Sequence, residues 1–359
     1  MKKTTLLGMT LEELQALCLQ EGFPKFTARQ ICDWIYVKGV TSMDQMTNLS
    51  LKVRARLNEI AEVGRKEPVD VLVSRDGTKK YLFRIEYSGI QQIAGNQPYG
   101  PQYVETVFIP DERAEASDRA TLCISCQMGC KMGCRFCNTG RQGFHGNLSA
   151  AQILNQIFSV PEREQLTNIV YMGMGEPMDN YDAVLRSIQI MTAPWGKTWS
   201  PHRLTVSSVG IIPQLHRFLQ ESECHLAISL HNAFPAERGE IMPMQKMYPV
   251  AELISMLRKH DWNGQRRLSF EYTMLKGVND DISHAAELVR LLGGLRCRVN
   301  LIRYHSIGDG RFETAPQTAV SAFRDYLNRH GITCTLRASR GEDIMAACGL
   351  LAGKNRDKE

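Results

Sequence analysis

From about residue 105 onward, short apolar runs alternate with amphipathic ones, and this rhythm limits the possible folds more than any other feature of the chain. The segments TNIVYMGMG, HRLTVSSVG, CHLAISLH, RLSFEYTML, RVNLIRYH and TCTLRAS have the composition of buried strands. Between them lie YDAVLRSIQIM, IPQLHRFLQ, VAELISMLRKH, HAAELVRLLGG and VSAFRDYLNRHG, whose apolar residues recur at helical intervals. Strands and helices in alternation imply βα units around a parallel sheet, in which reacting groups collect at the carboxyl ends of the strands.

The first hundred residues follow another pattern. Helices are expected at 10–20, 26–39 and 51–63, introduced by Thr10, Phe23-Pro24 and Ser50, and short strands such as DVLVS and KKYLFRIEY come after them. The expected organisation is a small helical accessory domain at 1–65, a β-rich connecting segment at 66–104 and an α/β domain at 105–359.

No apolar run approaches the roughly 20 residues needed to span a bilayer. Glu12 and Glu13 interrupt the N-terminus before a signal region forms, so a cytoplasmic protein with no membrane partner is expected. A net charge of +5 is only weak support for a nucleic-acid partner.

The cysteines are more informative. Between residues 123 and 137 the chain reads CISCQMGCKMGCRFC, five of its eleven cysteines, and in a reducing compartment such density points to metal or redox chemistry. Cys130, Cys134 and Cys137 form C-x3-C-x2-C, with Gly129 and Gly133 allowing a tight wrap. Three ligands suit an iron–sulfur cluster with one iron open to a cofactor. A zinc knuckle that borrows Cys123, Cys126 or a distant residue is the alternative, although structural zinc usually has two C-x2-C pairs. At a strand end, MGMGEP at 172–177 offers close backbone approach and, in Glu176, a partner for an ammonium group.

The triad with Phe136 before its last cysteine resembles the signature of radical S-adenosylmethionine enzymes. The match extends from Val104 to Gly353 through VETVFIP, RATLCIS, GCKMGCRFCNTG, GMGEP, HRLTVSSVGIIP, AISLHNA, MPM, GVND, VNLIRY and RGEDIMAACGLLAG. This set is similar to the radical S-adenosylmethionine methyltransferases that modify adenosine in 23S ribosomal RNA. A housekeeping branch of that family methylates carbon 2 of adenine, in some organisms on transfer RNA too, and a resistance branch methylates carbon 8.

The resemblance implies a partial (βα) barrel with a small N-terminal helical domain. It implies one 4Fe-4S cluster on Cys130, Cys134 and Cys137 and two S-adenosylmethionine molecules per turnover. Cys348 would accept a methyl group that is then turned into a methylene radical and added to adenine, Cys123 would release the adduct through a transient disulfide, and Glu105 would act as general base. Gly175, Glu176, Ser207, Ser229, Leu230 and His231 would line the cofactor site. His305 stands there in place of the family's usual asparagine. The implied partners are 23S ribosomal RNA, transfer RNA and a reducing donor such as flavodoxin, acting on a monomer.

Cys126 replaces a usual serine and is read as a small buried residue, with Cys18, Cys32, Cys224, Cys297 and Cys334 as core. Lys25, Arg29, Arg54, Arg56 and Lys79 are candidate RNA contacts. The tail GKNRDKE lacks the long basic extension of many housekeeping members, which would weaken RNA binding or change its target. Two other readings stand beside this one. A radical enzyme acting on a small molecule would not need Cys123 and Cys348, and a zinc-stabilised RNA-binding module would contain no iron.

Overall fold

A computed structural model describes residues 3–86, 102–110 and 119–352; the tail GKNRDKE lies outside these described residues. Its centre is a ten-stranded mixed sheet. In chain order the strands are β1 (Thr4–Thr5), β2 (Ala61–Glu62), β3 (Asp70–Val73), β4 (Lys79–Ile85), β5 (Gln102–Pro110), β6 (Ala120–Cys123), β7 (Gln127–Gly129), β8 (Phe144–Asn147), β9 (Asn168–Tyr171), β10 (Leu204–Ser208), β11 (His225–Ser229), β12 (Leu268–Met274), β13 (Arg298–Arg303) and β14 (Thr333–Leu336). The main sheet runs β14-β13-β12-β11-β10-β9-β6-β5-β4-β3. From β6 to β14 all neighbours are parallel, and β5, β4 and β3 continue the sheet in antiparallel pairing. β14 and β3 remain edges, so the barrel is partial.

Among the described residues, eight helices fall where the apolar spacing placed them, the one expected at 51–63 ending at Ile60. The helices are α1 (Leu11–Gln20), α2 (Thr27–Cys32), α3 (Leu51–Ile60), α4 (Asn138–Arg141), α5 (Ala150–Ser159), α6 (Tyr181–Thr192), α7 (Ile212–Glu221), α8 (Pro235–Ile241), α9 (Val250–Arg258), α10 (Ile282–Leu292) and α11 (Gln317–Arg329). Of these, α4, α5 and α8 are additions that the spacing did not indicate. Thr10 starts α1 with a capping box, its hydroxyl accepting from Glu13 N–H while Glu13 accepts from Thr10 N–H. Beyond α2 the chain widens into a π-helical turn at Asp33–Val37, so 26–39 is not one uniform helix.

The N-terminal helices pack on the parallel βα units. Tyr36 is fully buried and donates to the Met9 carbonyl at 2.6 Å, and Arg163 reaches the Gly39 carbonyl at 2.8 Å. β1 and β2 form their own short parallel ladder.

The two-residue period of a strand decides which side chains can do chemistry. In β10, Leu204 and Val206 are buried in the apolar core, while Thr205 and Ser207 face cavities; in β13, Val299 and Leu301 are fully buried, while Arg298, Asn300 and Ile302 face cavities. The concave face of the sheet is therefore mostly polar, with Val170 and Ile302 among its apolar members, and the opposite face joins one continuous core.

Candidate active site

A cavity of about 160 Å³ sits over the carboxyl ends of the parallel strands. Its walls include Cys130, Cys134 and Cys137, then Gly175 and Glu176, Ser207, Ser229, His231, Arg337 and Cys348. Sequence positions more than two hundred residues apart thus meet in one space.

The thiol loop is set by backbone geometry. Gly129 ends β7 at φ +70°, and a Cβ there would fall 1.9 Å from the Gly143 carbonyl oxygen, which accepts from Cys130 N–H at 2.8 Å. Only glycine fits. Cys137 stands at the N-cap position of α4, where the backbone N–H groups of Gly140 and Thr139 favour its thiolate. Burial raises all three thiols above their usual range, Cys130 to about 12. Among the described residues no three His, Cys, Asp or Glu side chains converge on a single ion position. Cys130, Cys134 and Cys137 border one cavity, and a 4Fe-4S cluster would take one thiolate on each of three irons.

The MGMGEP loop is stitched to the strand leading into that loop. Gly173 N–H donates to the Ile124 carbonyl at 3.0 Å, Met174 N–H to Ser125 Oγ at 2.8 Å, and Glu176 N–H to Gln127 Oε1 at 2.9 Å. Gly175 has φ +100°, and an added Cβ would lie 2.5 Å from Gln127 Cβ. The buried Glu176 carboxylate accepts from Val209 N–H at 2.9 Å and Met178 N–H at 3.1 Å, yet burial still lifts its pKa to about 7. A cationic group bound beside it would reverse that lift, so it fits the ammonium of an amino-acid moiety.

Ser207 and Ser229 approach each other at 3.5 Å on neighbouring strands. His231 has φ +57° and accepts from Thr273 N–H at 3.0 Å through Nδ1; burial, then Arg238, lower its pKa to about 3, so it is neutral. Leu230 is fully buried and does not border the cavity; its carbonyl accepts from Arg238 Nε at 3.0 Å.

Arg238 carries no motif signal. It is wholly buried, and besides Leu230 it donates to the carbonyls of Val209 at 3.0 Å and Ser229 at 3.2 Å and to Gln245 Oε1 at 2.7 Å. One guanidinium thereby fixes the ends of β10 and β11.

Cys123 and Cys348 are both free thiols. Burial, then the neighbouring Cys348, push Cys123 up to about 12, while Met172 N–H and Arg337 oppose the rise. Cys348 is exposed at the cavity rim, but protein atoms crowd it enough to raise its pKa, with Arg337 again opposing. Arg337 is held by Glu271, Nε to Oε2 at 3.1 Å and Nη2 to Oε1 at 3.1 Å, a bidentate pair in the concave interior. Asn300 also donates to Glu271, at 2.8 Å. The pair was invisible in sequence, since its members stand 66 residues apart with no motif between them.

Glu105 lies outside this cavity. It is buried in β5, pairs with Lys80 at 3.0 Å and accepts from Ala352 N–H at 2.7 Å. Because Val107 is opposite Cys123 in the ladder, Glu105, two residues away, shares the face that carries Cys123. His305 also lies outside. At the end of β13 Tyr304 turns toward the cavity, and the next side chain turns away to meet Ser339 at 3.0 Å and Glu342 at 3.2 Å. Cys126 is buried away from the cavity with Cys18, Cys32, Cys224 and Cys334, and Cys297 is half-buried.

Four of the basic candidates for RNA have protein partners. Arg29 reaches the Pro194 carbonyl at 2.6 Å, Arg54 the Asp44 carbonyl at 2.9 Å, Arg56 pairs with Glu21 at 2.7 Å and Lys79 with Glu162 at 2.7 Å. Lys25 is exposed.

Two family models match the chain. Residues 4–63 match the ribosomal RNA large subunit methyltransferase N-terminal domain, and residues 124–289 match the radical SAM superfamily. The probable dual-specificity RNA methyltransferase RlmN of Phocaeicola vulgatus is 53% identical over 99% of this chain and 97% of its own length. The dual-specificity RNA methyltransferase RlmN of Syntrophus aciditrophicus is 40% identical over 99% and 98%. The chain belongs to the RlmN family. A solved radical SAM methyltransferase from Sphaerobacter thermophilus has the same fold, with a TM-score of 0.87, 37% identity and coverage of 98% of this chain and all of that one. Like its RlmN relatives, the chain is a radical SAM RNA methyltransferase that uses a 4Fe-4S cluster and S-adenosylmethionine.

Proposed function

We propose that this chain methylates carbon 2 of an adenosine in 23S ribosomal RNA and in transfer RNA, with Cys348 as the methyl carrier. The observation that carries this reading is a single cavity bordered by the three loop thiols, the Gly175-Glu176 turn and Cys348. The RlmN names of the full-length relatives favour carbon 2 over carbon 8.

The residues divide the work by position. Cys130, Cys134 and Cys137 hold the cluster, and Gly175, Glu176, Ser207, Ser229 and His231 receive S-adenosylmethionine. The bound cluster and cofactor supply the methyl group and a hydrogen-abstracting radical. Cys348 sulfur would attack the first cofactor's methyl carbon with S-adenosylhomocysteine leaving, and would keep the methyl at the rim; after losing one hydrogen atom to the radical its carbon would bond to adenine, and the adduct would give one electron back to the cluster. Glu105, kept on the Cys123 face of β5, takes the proton from the attacked carbon. Cys123 thiolate would then attack Cys348 sulfur, so that an S–S bond forms as the C–S bond breaks, its electron pair staying on the product carbon and a proton completing the methyl group. Two electrons and two protons return the pair to thiols, from a protein donor of flavodoxin type.

Leu230 shapes the wall from behind, and residues 1–65 act as an accessory domain. Among the described residues no helix is long and apolar enough to cross a membrane. The chain would work on RNA as a cytoplasmic monomer.

The test compares cells lacking the protein with cells expressing it or its Cys348→Ala variant. Digested ribosomal and transfer RNA are analysed for 2-methyladenosine and 8-methyladenosine by mass spectrometry. Wild type should restore 2-methyladenosine and the variant should not. Methylation retained by the variant would end the carrier role, and 8-methyladenosine instead would move the reaction to the other carbon.

A further inference from the structure

A second, larger cavity of about 1210 Å³ runs along the same strands, from Arg119, His225 and Arg267 at their amino ends to Arg303, Arg337 and Cys348 at and beyond the carboxyl ends. Pockets for single small molecules usually measure about 300–1,000 Å³. Eight arginines and three histidines border it, and among the described residues no aspartate, glutamate or lysine does. Ile302, Arg337 and Cys348 belong to its wall and also to the wall of the thiol cavity. The carrier cysteine thus stands between two spaces.

Not all eight arginines are structural. Arg266 donates to the Leu219 carbonyl at 3.1 Å, Arg296 to the Asn263 carbonyl at 3.2 Å and Arg337 to Glu271, whereas among the described residues no acceptor holds the exposed side chains of Arg119, Arg267 and Arg298. Strand register explains how these three come together. Arg119 precedes β6, Arg267 precedes β12, and Arg298 begins β13 opposite Ser269, so the guanidiniums crown the amino ends of the concave face. On the same rim His202 stacks with His225, ring centroids 5.5 Å apart and planes 22° apart. In βα barrels chemistry belongs to the other end and this end normally serves stability, so an exposed arginine crown here needs a reason.

We propose that the arginine-lined cavity is the channel through which the single-stranded part of the RNA reaches Cys348, with Arg119, Arg267 and Arg298 holding phosphates at its mouth. This rests on the RNA methyltransferase reading above. An acidic protein would also be attracted to arginine, but a deep concavity of this size admits several nucleotides and not the convex surface of a folded donor. Arginine without lysine suits planar recognition of phosphate and stacking on bases, and the neutral His225 ring adds a stacking surface. The thiol cavity keeps the cofactor on one side of Cys348, and the channel brings adenine from the other.

The test uses the full chain with Arg119, Arg267 and Arg298 changed to Gln, the corresponding Lys variant and Arg329→Gln on the outer helix α11 as control. A fluorescent RNA hairpin with an unpaired adenosine loop is titrated at several salt concentrations, and S-adenosylmethionine binding is measured in parallel. Each lost phosphate contact on a single strand removes roughly 0.7 from the slope of log affinity against log salt, so the Gln variant should lose about two units and bind roughly tenfold or more weakly. The Lys variant should recover most of the slope, Arg329→Gln should match wild type, and cofactor binding should stay unchanged in all. Unchanged RNA affinity and slope in the Gln variant would overturn the channel while leaving the methyltransferase reading intact. So would a defect seen only with a protein electron donor and absent with a chemical reductant. If wild type neither bound nor methylated RNA, the underlying reading would fail and the channel with it.

Discussion

The two ends of the parallel strands are built from the same alternation yet hold opposite chemistries. At the carboxyl ends lie the three loop thiols, a buried carboxylate and a neutral histidine. At the amino ends lie guanidiniums with water access and a histidine pair. A burial gradient along one concave face therefore separates a dry reaction chamber from a wet docking mouth. Arg238 and Arg298 show the contrast within one residue type: the first is wholly buried and spends its donors on carbonyls, the second is exposed and uncommitted.

The sharpest way to break the comparison is Cys348→Ala, which should reduce RNA methylation by three orders of magnitude or more while leaving iron content and the cluster's visible absorbance intact. A loss of iron with methylation would mean that the two chambers are not separable. Arg238→Met should come next, with a stability loss of about 3–5 kcal/mol in urea unfolding because four buried acceptors lose their donor. Arg298→Gln at the other end should change stability by less than about 0.5 kcal/mol.

Acid should then distinguish the two histidines. Folded pKa values of about 3 for His231 and about 4 for His225 lie below the 6.5 of the unfolded chain. The unfolded state therefore binds more protons below pH 6.5, and the stability these residues contribute is present above that value and lost as pH falls. Each adds at most about 1.4 kcal/mol per pH unit to the decline. His225→Gln should flatten the acid limb down to about pH 4, and His231→Gln should flatten it further, to about pH 3. Equal and unchanged acid limbs in both variants would refute the gradient. The smallest effect belongs to Ser207→Ala: its 3.5 Å contact with Ser229 is long, so cofactor affinity should fall only a few-fold, as read by equilibrium dialysis.

The strand and helix sequence was legible because period-two and helical spacing survive without knowledge of partners, as β10 and α7 show. The thiol loop was legible because its ligands are close in sequence. Arg238, the Glu271–Arg337 pair and the arginine crown were not, since each depends on which strands become neighbours, and a lone arginine in sequence carries no sign of burial or exposure. The same ignorance made Arg56 and Lys79 look available when Glu21 and Glu162 hold them. His305 shows the limit of motif position, because one step along a strand end turns a side chain away from the cavity.

The segment that follows Cys348 is fastened to the thiol loop and to β5. Asn138 N–H donates to the Gly349 carbonyl at 2.7 Å, Asn138 Nδ2 to Leu350 at 3.1 Å and Thr139 Oγ1 to Leu351 at 2.8 Å, and Ala352 N–H donates to Glu105. Asn138 and Thr139 come directly after Cys137. Cys348, the proposed methyl carrier, thus sits on a short strap buckled to the thiol loop at one end and to the candidate base at the other. Any slackening of that loop lengthens the leash on the sulfur, so metal loading and carrier placement behave as one assembly event.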